Sequence, residues 1–190
     1  ELLNANQHVI IVDRDKKNNF GGLAKESFGG MLMVNTPEQR RGGIKDCPEL
    51  ALQDWISSAE FSPEDNLPRA WAEVYVNESL EHIYHWLKDK GIGFFPVVHW
   101  VERGLYTPGN SVPRFHMVWG TGHGLIETLI RHLEAHPNRN KLTLLFKHRV
   151  DDVTESENSI KGCQGFNELD DSSFVIKANN TIVATGGING

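Results

Sequence analysis

The five residues Val9-Ile10-Ile11-Val12-Asp13 constrain this chain more than any other stretch. Four consecutive β-branched side chains are stiff at χ1 and favour extended backbone. The run has no polar alternation, so it predicts a parallel strand covered on both faces. An acid closes it, where the strand leaves the sheet. Gly21-Gly22 follow, then Ser27-Phe28-Gly29-Gly30. Without Cβ atoms in the way, backbone N–H groups there can approach a bound group closely. An acid at such a strand end is placed to accept hydrogen bonds from a ribose diol. The stretch reads as a nucleotide-binding edge. The plainer reading, in which Asp13 only ends a strand and the glycines only turn, stays open on these residues alone.

The rest of the chain alternates helices and strands. Met31 to Val34 is apolar. Thr36-Pro37-Glu38-Gln39 combines a capping hydroxyl, a proline at the first helical position and a capping-box Gln, and Gly42-Gly43 stops that helix. Residues 48–60 read as a second helix. After a loop from Phe61 to Pro68, a long helix is expected from Arg69 to Lys90, closed by Gly91. Trp55, Trp71 and Trp86 recur at helical intervals and read as core anchors. Residues 94–101 read as two short strands or an extended edge, since Pro96 cannot donate to a ladder.

Arg114 to Trp119 is extended again, and Gly120-Thr121-Gly122-His123-Gly124 opens a helix over 125–135. Leu142 to Phe146 is a second buried strand. Residues 149–156, 160–166 and 174–177 alternate and predict a three-stranded antiparallel meander. Thr181-Ile182-Val183-Ala184 reads as a last strand running into Thr185-Gly186-Gly187. Strands alternating with helices imply an α/β fold on a parallel sheet.

Composition narrows the function. The net charge of −6 over 190 residues argues against a nucleic-acid partner, which needs clustered Lys and Arg. No apolar run approaches the ~20 residues of a membrane span, and no basic-then-apolar leader pattern is visible, so a cytoplasmic location is expected. Cys47 and Cys163 read as two unrelated free thiols. The helical pairs His132/His136 and His82/His85 lack the context of a metal site, so no metal is expected. Gly120 to Gly124 lacks the Lys-Ser/Thr pair of a phosphate loop and reads as a close backbone approach. The first residues read as the last turn of a helix and the last as a glycine turn, so the expectation is a fragment of a longer protein.

The ordered set of pieces resembles a known family. The pieces are Val9 to Asp13, Gly21-Gly22, Ser27 to Gly30, Pro37-Glu38-Gln39-Arg40-Arg41, Phe94-Phe95-Pro96-Val97, Ser111-Val112-Pro113-Arg114-Phe115-His116, Trp119 to Gly122, and Ala184 to Gly187. Together they are similar to the bacterial FAD-binding dehydrogenases of the fumarate reductase and 3-ketosteroid Δ1-dehydrogenase group. The resemblance implies a Rossmann-like FAD-binding domain, truncated at both ends: residues 1–44 and 115–190 form the core, and 45–114 a mainly helical insertion. The family's first strand and Gly-x-Gly-x-x-Gly turn have no counterpart here.

It implies FAD as the cofactor. Asp13, with Arg14 beside it, would take the adenosine ribose. Gly21, Gly22, Leu23, Ser27, Phe28, Gly29 and Gly30 would follow the pyrophosphate, ribityl chain and flavin edge. Val150 would present its backbone to the adenine, and Ala184, Thr185, Gly186 and Gly187 would pack on the cofactor. His116 would contact a small-molecule substrate as a hydrogen-bond or charge donor. The implied reaction moves hydride between flavin and an activated C–C bond of a ketone or carboxylate. The partners expected are that substrate and the remaining parts of the longer chain. The rivals are a nicotinamide-binding Rossmann oxidoreductase and a catalytically silent piece without cofactor.

Overall fold

The computed structural model describes residues 1–95, 98 and 100–187. In chain order its elements are β1 (Val9–Asp13), α1 (Gly22–Glu26), β2 (Gly30–Leu32), α2 (Pro37–Arg41), α3 (Pro48–Ala59), α4 (Asn66–Glu78), a π-helical stretch (Ser79–His85), α5 (Trp86–Asp89), β3 (Phe115–Met117), α6 (Thr121–Glu134), β4 (Leu142–Phe146), β5 (His148–Ser156), β6 (Ser159–Asn167) and β7 (Ser172–Lys177). They fall into two compact units: residues 1–22 with 135–190, and residues 23–134.

In the first unit β1 and β4 run parallel in register, from Val9 opposite Leu142 to Asp13 opposite Phe146. The predicted meander is present: β5, β6 and β7 form an antiparallel sheet in that order. Two expectations are corrected. β1 is not covered on both faces, for its residues are half-buried and Ile10 is exposed. Among the described residues it has one strand neighbour, β4. Thr181 to Ala184 joins no ladder among the described residues, and Ile182 and Val183 lie exposed. β-propensity alone does not make a strand without a partner edge.

The second unit is built on both faces of β2 and the residues after it. Met31 and Met33 pack into one apolar cluster with Tyr84, Leu87, Ile92, Phe94 and Val118. Leu32 and Val34 pack into another with Ala51, Leu52, Trp55 and Val76. That alternation is the period-2 signature of extended chain. β3 pairs antiparallel with β2, Gly30 opposite Met117 and Leu32 opposite Phe115.

α2 begins as predicted: Thr36 Oγ1 accepts from Gln39 N, and Gln39 Oε1 accepts from Thr36 N. α4 starts three residues earlier than predicted, at Asn66. Pro68 sits in its first turn, where N–H groups have no intrahelical partner in any case. The long helix also widens over Ser79–His85 into π geometry before returning to α. Tyr75 on α4 donates to Leu32 O at 2.8 Å, and Ser79 Oγ accepts from Val34 N at 3.3 Å, so this helix is stitched to the extended chain. Trp55 and Trp86 flank the clusters, but Trp71 is 71% exposed and anchors nothing. Of the edge expected at 94–101, Phe94 bridges Val118, and Pro96, Val97 and His99 lie outside the described residues.

Among the described residues no helix is long and apolar enough to cross a membrane.

Candidate functional site

In the first unit, Asp13 closes β1 at the carboxyl end of the parallel pair, the end where α/β sheets bind ligands. One carboxylate oxygen, Oδ1, accepts from Asp15 N at 2.8 Å, which turns the chain out of the strand. Asp15 accepts from Asn19 and from Lys16 N, and these bonds hold its carboxyl below the ordinary carboxylate range. Arg14 Nε lies 3.0 Å from Glu168 in a largely exposed ion pair. Gly21 and Gly22 take φ of +103° and +49°, in the left-handed region open to glycine. Nothing lies within 4 Å of where a Cβ on Gly22 would sit, and the same holds for Gly186 at φ +81°. Val150 is 44% exposed, and Ala184, Thr185, Gly186 and Gly187 are exposed chain.

In the second unit, Leu23 and Phe28 are 70% and 71% exposed. Ser27 orders the loop between α1 and β2: its hydroxyl donates to Ala24 O and accepts from Gly29 N, and its carbonyl accepts from Gly122 N at 2.9 Å. The glycines here answer to the chain's own packing. A Cβ on Gly29 would meet Gly122 N at 2.8 Å, and one on Gly30 would run into the Phe115 ring. The close approach expected at Gly120 to Gly124 is found at Gly122, where a Cβ would strike Ala24 O. An open hollow of about 390 Å³ is lined by Ser27, Phe28, Gly29, Gly30, Trp100 and Phe115.

His116 stands apart from that hollow's lining. It is 1% exposed, and both ring nitrogens are engaged: Nε2 with Thr36 Oγ1 at 2.6 Å, Nδ1 with Arg114 O at 2.8 Å. A carbonyl can only accept, so Nδ1 carries the proton and Nε2 accepts from Thr36. Burial pushes the imidazole below its ordinary pKa, against the pull of the Arg114 carbonyl and Glu38, so the ring is neutral near pH 7. The expected substrate contact is, in this structure, a buried histidine tying β3 to the cap of α2.

The residue just before β3 carries a feature that sequence reasoning missed. Arg114 is fully buried, its guanidinium shared between Asp46 (Nη2 at 2.8 Å), Asp54 (Nη1 at 2.6 Å) and Asn110 (Nη1 at 2.7 Å). Asp46 also accepts from Gln39, and Asp54 from the N–H and hydroxyl of Ser111. Burial alone would raise Asp54, but the Ser111 and Arg114 bonds outweigh it and hold the carboxyl below its ordinary value. Arg114 and His116 are two apart on an extended segment and so share a face, a signal that could have marked both as buried. Nearby, Tyr84 lies against Glu38, and burial with that carboxylate pushes its hydroxyl well above the ordinary phenol range.

The FAD binding domain family matches the chain over residues 1–190. The chain belongs to that family. FAD is the cofactor such domains bind. The chain is 41% identical over its whole length to a KsdD-like steroid dehydrogenase of Mycolicibacterium smegmatis, and 40% identical to one of Mycobacterium tuberculosis. It spans 37% and 36% of the length of those relatives. Its fold matches that of E. coli quinol fumarate reductase with a TM-score of 0.69, at 18% identity, over 97% of this chain and 29% of the other. The α/β expectation, with a parallel pair, helices and an antiparallel three-stranded sheet, is the fold found.

Proposed function

We propose that the whole protein is a FAD-dependent oxidoreductase moving hydride between flavin and an activated C–C bond of a ketone or carboxylate. The observation that carries this is the family match along the entire chain. The names of the two curated relatives make a steroid ketone the first substrate to try.

Two features support the placing of FAD on these residues. Asp13 has a second carboxylate oxygen beyond the turn it caps, suited to a ribose diol. Gly22 and Gly186 leave open space where other residues would project a side chain. In this reading Asp13 takes the adenosine ribose, with Arg14 paired to Glu168. Gly21 and Gly22 offer backbone in the first unit, and Leu23 and Ser27 to Gly30 do so in the second, where Ser27 sets the loop's shape. Val150 offers its backbone to the adenine, and Ala184 to Gly187 pack against the cofactor. Bound FAD supplies the hydride chemistry, and the chain supplies position and exclusion of water. His116 serves by position: a direct substrate contact would require Thr36 to give up its bond to Nε2. Residues 45–114 act in this reading as a helical insertion on a core formed by 1–44 and 115–190.

Anaerobic mixing of the full-length protein with candidate steroid ketones, unsaturated carboxylates and NADH tests the proposal. Purification with a releasable flavin that bleaches or reoxidises with one of these supports it. Full-length protein that neither retains nor takes up FAD overturns it.

A further inference from the structure

The motif Pro37 to Arg41 is only partly explained by the fold. Glu38 and Gln39 turn inward, and Arg41 pairs with Glu38 at 3.1 Å. Arg40 does neither. It borders a second open hollow, of about 400 Å³, lined by Asn35, Arg40, Gly43, Ile44, Lys45 and Asp46. We propose that this hollow binds a phosphate group carried by a small molecule, separately from the flavin.

Three observations carry the assignment. First, the Arg40 guanidinium is already placed. Asn35, itself in the left-handed region at φ +57°, accepts from Nε at 2.9 Å and, through its carbonyl, from Nη2 at 2.8 Å. The fork is held in one orientation, with no partner for Nη1 among the described residues, which lowers the ordering cost of binding an oxyanion.

Second, Lys45 lines the same hollow and has no ion-pair or hydrogen-bond partner among the described residues. The pair offers two positive charges, matching a phosphate monoester dianion better than a single carboxylate. Third, the acid in the lining is spent. Asp46 accepts from Arg114 Nε and Nη2, from Gln39 and from Cys47 N, and its side chain is fully buried. Glu38 is held by Arg41, and Asp54 by Arg114 and Ser111. Gly43, at φ +74° with nothing within 4 Å of its Cβ position, leaves the floor open.

The test uses the full-length, FAD-loaded protein titrated with inorganic phosphate, glycerol phosphate and succinate, followed by calorimetry with flavin absorbance in parallel. The expected result is saturable binding of the two phosphates at unchanged flavin content. Arg40→Ala and Lys45→Ala should each weaken it by about 10-fold, and Arg40→Lys should only partly rescue it. The proposal is overturned if no phosphate binds, if both alanine variants bind as well as the parent, or if succinate binds as tightly. It is equally overturned if phosphate binds only after FAD is removed, since the anion would then be occupying the cofactor's own pyrophosphate seat. The flavin reading survives each of these outcomes.

Discussion

Thr36 donates its hydroxyl proton to Nε2 of His116 across 2.6 Å while accepting from Gln39 N, so one side chain caps α2 and satisfies a buried ring nitrogen eighty residues away. Replacing Thr36 with Val removes both bonds and leaves a buried imidazole nitrogen unsatisfied. The full-length protein should lose about 2–4 kcal/mol in urea unfolding, and Thr36→Ser should lose little. Equal losses for the two variants would show that the hydroxyl is not what matters.

The buried His116 sets a pH dependence. Its folded pKa lies below the unfolded value near 6.5, so the unfolded chain takes up a proton first as pH falls. Stability should therefore be flat above about pH 6.5 and decline below it. His116→Asn, which cannot ionise, should flatten that decline. Unfolding midpoints between pH 5 and 8 would measure it.

Arg114 sits between two carboxylates inside the second unit. Arg114→Met strands both, and a loss of about 3–5 kcal/mol is expected. Asp54, held below its ordinary carboxyl value, adds stability above about pH 3.8 that disappears as pH falls through its folded pKa. Thermal unfolding of the variant beside its parent would check the first of these, and an acid titration the second.

The two glycine pairs should separate on substitution. Gly30→Ala drives a methyl into the Phe115 ring and should cost about 1–3 kcal/mol of stability. Gly22→Ala meets no atom but keeps the left-handed strain, worth about 1 kcal/mol. If Gly22 faces the cofactor, its variant should lose FAD affinity by more than its stability loss implies, as read by flavin titration against unfolding.

Asp13→Ala should weaken FAD binding by about 10-fold or more, while Arg14→Ala, whose partner is Glu168, should change it little. Flavin fluorescence quenching in the full-length protein distinguishes the two.

What could be read in advance was local. The Thr36 to Gln39 cap, the Gly91 stop at φ +80° and the alternating β5 to β7 meander each rest on residues within one turn or one strand. What could not be read depends on distant partners. Arg114 finds Asp46 and Asp54 across 68 and 60 residues, and nothing in the spacing announces a buried triad. Substrate contact at His116 was implied only by the resemblance of Ser111 to His116 to a family stretch, and likeness of sequence does not tell an exposed site histidine from one buried against Thr36. Thr181 to Ala184 has strand composition but no ladder, because propensity cannot supply the neighbouring edge.

The widened stretch from Ser79 to His85 lets one rod serve two cores. Val76, ahead of it, is seated beside Val34 and Ala51, while Tyr84 and Leu87 reach the cluster around Phe94. Each π turn holds about one residue more than an α turn. Forcing the same residues into ordinary α winding would swing everything downstream by roughly 100°. The far end of the rod would then show its oily stripe to water while the near end stayed gripped, so the winding of this segment is as much a part of the design as its chemistry.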